Sequence, residues 1–346
     1  MKDIDILDSL AGSANRISIA VHTHPDGDAA GSGTAMLSYL EARGKDAVLI
    51  FPDSLPHNLS FIVGKVGKVG KDRVMTFGED GAAAAERVKD SDLIFCLDCN
   101  SFNRTGGMED CLRASGAKKV LIDHHLFPET ESFDLVFSET EISSACELLY
   151  RILMEMPDIR GDATRLPAVC AAALMTGMTT DTNNFNNSAY PSTFRMAGEL
   201  LQAGVDRNLI LSRLYNNERE NRLRLLGCLL SEKLKITSCG AAYIILDKAT
   251  QERFGFLNGE SEGFVNMPLS VASVRLSIFL TEDDGFFRVS IRSKRGTSAN
   301  ALAQSKFNGG GHELASGGRL YIGKDISSPE EAEAYILKAT EEFLGK

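Results

Sequence analysis

The 346 residues predict an α/β protein. Its first part is a mostly parallel sheet with helices on both faces, and helices join it to a smaller C-terminal domain of mixed sheet and helix. Three observations carry this reading. Short β-branched runs alternate with helical patterns through the first half, as βαβ units require. Those runs are apolar at consecutive rather than alternate positions, as in strands buried on both faces. After about residue 233 the pattern changes to alternation. The expected division is 1–190 for the first domain, 191–232 for a helical connection and 233–346 for the second domain. A chain of this length also favours two domains over one.

In the first domain ISIAV (17–21) reads as a strand, followed by a small-residue helix from about 28 to 43 and a second strand, AVLIF (47–51). GAAAAERVKD (81–90) has a helical pattern, while DLIFCLD (92–98) and KKVLID (118–123) are strands. Residues 143–232 are mainly helical by periodicity: SSACELLYRILMEM, LPAVCAAALMTGMT, PSTFRMAGELLQAG and a long NNERENRLRLLGCLLSEKL. The last is charged on one side and suits a connector between domains. LKITS, AAYIILD, SVRLSIFL, FFRVSIRS and GRLYIG follow as strands. Ser328-Pro329 supplies an N-cap and a first-turn proline for the closing helix, SPEEAEAYILKATEEFL.

An apolar fraction of 43% with 24% charged residues describes an ordinary soluble globular protein. No run approaches the ~18 apolar residues of a membrane helix. MKDIDILDSL lacks a basic segment and a cleavage site, so no secretion signal and a cytoplasmic location are expected. Seven cysteines, mostly inside apolar patterns, read as reduced thiols, and the single Cys96-x-x-Cys99 pair has no companion for zinc. A net charge of -10 argues against long duplex DNA as a partner. The charge is uneven: residues 1–190 hold 17 Lys and Arg against 28 Asp and Glu, whereas 191–346 hold 20 against 19. Within 285–320 six basic residues face one acid, Glu313. An acidic half that could hold cations thus precedes a basic segment that could hold an anion.

Five of the six histidines fall in three short segments. Binding sites in open α/β sheets form beyond the carboxyl ends of the strands, and acids and histidines collect there. His22, Asp26 and Asp28 follow ISIAV, Asp98 follows LIFCL, Asp123, His124 and His125 end the VLI run, and Asp181 follows ALMTGMTT. One acid at a strand end is an ordinary cap. Several such ends converging would set repelling carboxylates side by side, a cost that a bound cation relieves. Mixed imidazole and carboxylate ligands suit Mn2+, with Mg2+ or Co2+ as substitutes. The expected centre is dinuclear.

His-x-x-x-Asp-x-Asp, a lone strand-end Asp, Asp-His-His and a later Asp, in that order, resemble the four N-terminal motifs of the DHH phosphoesterase superfamily. Asn308-Gly309-Gly310-Gly311-His312, followed by Ala315-Ser316-Gly317, resembles the GGGH motif of the DHHA1 domain. Size and order are similar to the branch of nanoRNases and pAp phosphatases, long described as exopolyphosphatase-related. The resemblance implies one ion at His22, Asp26, Asp98 and Asp181, and another at Asp28, Asp98, His124 and Asp181. Asp98 and Asp181 would then bridge, with a nucleophilic hydroxide between the ions. His125 would contact the phosphoryl group or protonate the leaving oxygen, and Asp123 would orient a histidine. His24 stands where the family usually has Asn, and Cys99 where it often has Ser or Thr. A second-sphere or exposed role is expected of His24.

Gly27 and Gly31 are expected to serve turn geometry and tight helix entry, and Ser32 either a phosphate contact or a helix cap. Gly309, Gly310 and Gly311 permit close backbone approach, so their N–H groups with His312 are expected to cradle a phosphate. Asn308 tolerates left-handed geometry in the place of a fourth glycine. Arg292, and more weakly Ser293, are candidates to grip a substrate phosphate. The implied substrates are short single-stranded RNA, cut to mononucleotides, and 3'-phosphoadenosine 5'-phosphate (pAp), bound between the two domains. Anhydride hydrolysis of polyphosphate or pyrophosphate and cleavage of linear or cyclic dinucleotides are the alternatives, and the sequence leaves a homodimer open.

Overall fold

A computed structural model describes residues 3–64, 73–216 and 218–345. The chain divides into two compact units, Met1–Asn217 and Glu218–Lys346.

The first unit is built on six strands: β1 (Arg16–Ala20), β2 (Asp46–Phe51), β3 (Val74–Thr76), β4 (Leu93–Leu97), β5 (Lys118–Asp123) and β6 (Leu135–Ser138). They lie in the order β3-β2-β1-β4-β5-β6, and every neighbouring pair is parallel. The winding runs outward from β1 to β3 and then crosses back to β4. The carboxyl ends of β1 and β4 therefore flank the point where it reverses, which is where such sheets bind ligands. Ile17 of β1 lies opposite both Ala47 and Leu93. Ile17, Ile19 and Leu49 pack into one core, and Ala20, Ile50, Ile94, Cys96 and Leu121 into another. Consecutive apolar residues are thus buried on opposite faces, as the sequence pattern requires.

Among the described residues, nine α-helices cover this sheet or extend from it: α1 (Ile4–Ser13), α2 (Gly27–Ala42), α3 (Ser60–Gly64), α4 (Phe77–Lys89), α5 (Glu109–Ala114), α6 (Ala145–Glu155), α7 (Ala168–Asp181), α8 (Pro191–Gln202) and α9 (Arg207–Tyr215). Helix α2 is buried around its whole circumference from Gly27 to Leu40, which only its run of Gly, Ala, Ser and Thr allows. It lies hard against α7. A Cβ at Gly27 would strike the side chain of Thr180, and one at Gly31 would sit 2.7 Å from the Ala173 carbonyl oxygen. These two glycines therefore serve helix-to-helix contact rather than a turn, and that contact brings Asp28 on α2 toward Asp181 at the end of α7.

The stretch 191–232 does not stand apart as a connection. Met196, Leu200, Ile210 and Leu214 of α8 and α9 join the core of the first unit. The expected long helix is α10 (Glu220–Cys228), prolonged by a π turn (Leu229–Lys233), and its Leu225 and Leu229 pack with Ile244, Leu246, Phe264 and Phe279 of the second unit. Each helix carries an apolar stripe that needs a core to cover it, and the two units supply one each.

The second unit adds β7 (Lys235–Ile236), β8 (Ala241–Leu246), β9 (Leu276–Asp283), β10 (Phe286–Ser293), β11 (Gly310–Gly311) and β12 (Ala315–Tyr321), in the order β11-β12-β10-β9-β8-β7. Only β8 and β9 pair in parallel. Helices α11 (Lys248–Phe254), α12 (Ala299–Lys306) and α13 (Ala332–Leu344) complete it. On β10, Phe287, Val289 and Ile291 enter the core with Leu302, Phe307 and Ile336, which puts Arg288, Ser290 and Arg292 on the opposite face. Among the described residues no helix is long and apolar enough to cross a membrane.

Candidate metal centre at the carboxyl edge of the parallel sheet

Each acid of the cluster is placed by the end of a regular element. Asp26 is the N-cap of α2, where its Oδ1 accepts the N–H groups of Asp28 (2.9 Å) and Ala29 (3.1 Å). Asp28 accepts the N–H groups of Ala145 (2.6 Å) and Cys146 (2.9 Å), so its carboxylate seats the first turn of α6. Asp98 follows β4 in the left-handed region, φ 55°, and Asp181 is the last residue of α7. Two hydrogen bonds tie the loops together, one between backbones and one from a side chain. The N–H of Thr23 donates to the Arg104 carbonyl at 2.7 Å, and Asn100 Nδ2 donates to the Leu126 carbonyl at 2.8 Å. Asn100 carries no sequence signal, because its partner lies 26 residues away.

Asp98 is the hub, only 1% exposed. Its Oδ2 lies 3.3 Å from His22 Nε2, and its Oδ1 lies 3.5 Å from both His124 Nε2 and His125 Nδ1. His22 Nε2 is 3.8 Å from Asp26, while His124 Nε2 is 3.8 Å from Asp28 and 3.6 Å from Asp181. The ligand atoms therefore fall into a group from His22, Asp26 and Asp98, a group from Asp28, His124 and Asp181, and a third that joins Asp98 to His124 and His125. Asp98 turns one oxygen toward each of the first two groups. Its Oδ1 is buried without a hydrogen-bond partner. A buried carboxylate oxygen in that state is costly unless a cation satisfies it.

The protonation pattern has the same cause. Burial alone would lower the pKa of His22, but hydrogen bonds to Asp26 and Asp98 override it and push it up to about 11. His124 is raised to about 10 against burial by Asp98, Asp28 and Asp181. Burial raises Asp28 well above the carboxylate range, with Asp98 and Asp181 adding to the shift. Burial likewise lifts Asp181 to about 7. Asp98 goes the other way: burial opposes its ionisation, yet the nearby imidazoles of His124 and His22 hold it below the usual range. Protons thus compensate four crowded carboxylates, Asp26, Asp28, Asp98 and Asp181. Two divalent cations carry the charge that would balance them with both imidazoles neutral, so the donor set fits such ions.

His125 is held differently. Asp123, fully buried, accepts the His125 ring Nδ1–H at 2.8 Å and its backbone N–H at 2.9 Å. A carboxylate can only accept, which fixes the proton on Nδ1 and the ring orientation. The histidine that Asp123 orients is therefore His125 and not the neighbouring His124.

Other expected positions land elsewhere. The side chain of His24 is 93% exposed, and its backbone N–H donates to Asp53. The hydroxyl of Ser32 is buried within α2 and donates to the Ala29 carbonyl, so it is neither a cap nor aimed at a phosphate. The Ser293 hydroxyl, also buried, donates to the Thr297 carbonyl at 2.7 Å, which removes it as a phosphate grip. Arg292 is half-buried, with Nη1 donating to the Ile291 carbonyl at 2.9 Å, and burial lowers its pKa against the pull of Glu262.

The glycine run is not an open amide cradle. The N–H groups of Gly309, Gly311 and His312 donate to the Ala303 carbonyl, the Asn300 side chain and the Ala315 carbonyl. Gly310 and Gly311 form β11 against Ser316 and Gly317. A Cβ at Gly309 would strike the Gly317 carbonyl. These glycines let two backbones meet, and the preceding Asn308 takes the left-handed conformation, φ 46°.

The family model for the DHH family, N-terminal domain, matches residues 16–178, and that for the DHHA1 domain matches residues 241–346. The chain is 28% identical over 305 residues to the bifunctional oligoribonuclease and PAP phosphatase NrnA of Bacillus subtilis, covering 87% of this chain and 88% of that protein. It is 24% identical to the cyclic-di-AMP phosphodiesterase PdeA of Listeria monocytogenes, over 97% of this chain but 49% of that protein. An exopolyphosphatase-related protein from Bacteroides fragilis superposes with a TM-score of 0.90 at 35% identity, over 99% of this chain and 96% of the other.

Proposed function

Because this chain belongs to the DHH family and carries a DHHA1 domain, and is thereby a hydrolase of phosphoester bonds, we propose that it degrades short oligoribonucleotides to mononucleotides and dephosphorylates pAp to AMP. The observation that carries the chemistry is Asp98, buried between two ligand groups with an unsatisfied oxygen. Likeness to NrnA over nearly the whole of both chains supports the choice of substrates. PdeA, by contrast, is matched over only about half its length.

His22, Asp26 and Asp98 would hold one divalent cation, and Asp28, His124 and Asp181 the other, with Asp98 shared and Mn2+ the expected metal. When bound, such a pair supplies Lewis acidity toward phosphoryl oxygen and brings the pKa of water toward neutrality. The protein's own contribution is positional. Asp123 holds His125 with a proton on Nδ1, so Nε2 is the nitrogen that would meet the leaving oxygen, and it donates there only from the imidazolium form, leaving the neutral ring with its Nδ1 proton. On the second unit, Arg292 is the proposed contact for a substrate phosphate, since burial disfavours its guanidinium charge and a bound anion would offset that cost.

The test is a Mn2+-dependent turnover panel of pAp, 5'-pApA, a 24-mer RNA and polyphosphate, with Asp98→Asn in parallel. Turnover of pAp and pApA, abolished in the variant, is expected. Hydrolysis of polyphosphate alone would refute the nucleotide reading, and full activity in Asp98→Asn would refute the metal centre.

A further inference from the structure

Two residues beyond His125 stands Phe127, whose surface is 89% exposed and whose backbone is left-handed, φ 59°. A single exposed apolar residue is ordinary. A bulky residue at positive φ is not, because the Cβ crowds the backbone and the conformation persists only where its surroundings impose it. Here they do so from both sides. Asn100 donates from Nδ2 to the Leu126 carbonyl at 2.8 Å, and its own carbonyl accepts the Glu129 N–H at 2.8 Å. Pro128 stiffens the step between. Glu129 is gripped by both terminal nitrogens of Arg113, at 2.6 and 3.1 Å, and by the Ser132 hydroxyl at 2.6 Å. The loop therefore bears backbone strain in order to hold an aromatic ring out in solvent beside the metal centre, and no ring or cation contact within the described residues engages that ring.

We infer that Phe127 is a stacking platform for a nucleobase of the substrate, next to the phosphate that is cleaved. This rests on the nucleotide reading above and deepens it. Any base offers a π face, so such a contact tolerates every sequence. It also separates nucleotides from polyphosphate, which has no face to offer. The braced loop presents the ring ready-made, so little ordering is left for the moment of binding.

The experiment compares wild type, Phe127→Ala and Phe127→Trp with Mn2+, on 5'-pApA and on the same dinucleotide lacking both bases. Phe127→Ala is expected to raise KM for pApA by about 5- to 140-fold with kcat little changed, and Phe127→Trp to keep KM near wild type. The abasic compound should bind wild type poorly and be indifferent to either substitution. An unchanged KM for pApA in Phe127→Ala would overturn the inference while leaving the nucleotide reading intact. So would an equal rise with the abasic compound, which would indicate a disturbed loop. Wild type that hydrolyses polyphosphate but neither dinucleotide would overturn both.

Discussion

Replacing Gly177 by alanine tests whether the α2–α7 contact sets the metal centre. A Cβ there would collide with Cys146 Sγ and lie 3.0 Å from both Asp28 Oδ1 and the Gly27 carbonyl oxygen. Cys146 and Asp28 are themselves buried, so neither has room to yield. Overpacking a core costs about 1–3 kcal/mol, and a collision of this kind belongs at the upper end. Removing a glycine from a helix returns about 1 kcal/mol, leaving a net loss of about 2 kcal/mol. For a unit of this size that is a fall in Tm of roughly 4–8 °C. Gly198 on α8 is the control, since nothing lies within 4 Å of its Cβ, and Gly198→Ala should leave Tm unchanged or raise it. Thermal unfolding followed by circular dichroism reads the stability, and calorimetric titration with Mn2+ reads the displacement of Asp28 as weaker binding. A Gly177→Ala protein that melts at or above wild type and binds Mn2+ equally well would refute the reasoning.

Two further outcomes follow from the site. At pH 7 metal-free His22 and His124, with pKa values of about 11 and about 10, are protonated and must be neutral to ligate, while Asp181 at about 7 is half protonated. Loading the centre should therefore release at least two protons, with Asp28, whose pKa burial raises well above the carboxylate range, adding to the release, and affinity should rise with pH because metal and protons compete. Calorimetry in buffers of different ionisation enthalpy measures this, and release of less than one proton would contradict it. Ser293→Ala, which deletes the buried bond to Thr297, should lower stability by about 0.5–1.5 kcal/mol in a denaturant melt and leave KM alone. A raised KM with unchanged stability would restore Ser293 to the substrate.

The strand ends were legible because β1, β4 and β5 are central and apolar throughout, so an acid or histidine just after them has one edge to occupy. β3 and β6 were not. They are edge strands of three and four residues, and their burial is incomplete. Gly27, Gly31 and Gly177 carry their meaning in what lies opposite each one, which no local pattern records. For the same reason Gly309–Gly311 resembled an anion loop: a glycine run looks alike whether it faces a ligand or another backbone, and here the other backbone arrives only with Ser316–Gly318. The sequence reads Asp123 as a support, but which histidine it touches depends on side-chain direction at the end of β5, and there it meets His125.

The carboxylates of the centre are not equally replaceable. Asp26 and Asp28 each hold the first turn of a helix with the same oxygens that would ligate a metal, so a substitution there is a folding lesion first and a catalytic one second. Asp98 has an oxygen with no hydrogen-bonding duty in the fold. A stable, substrate-trapping form of the protein is therefore best sought at Asp98. Chance variation at Asp26 or Asp28 would be removed through lost abundance before its effect on turnover could be seen.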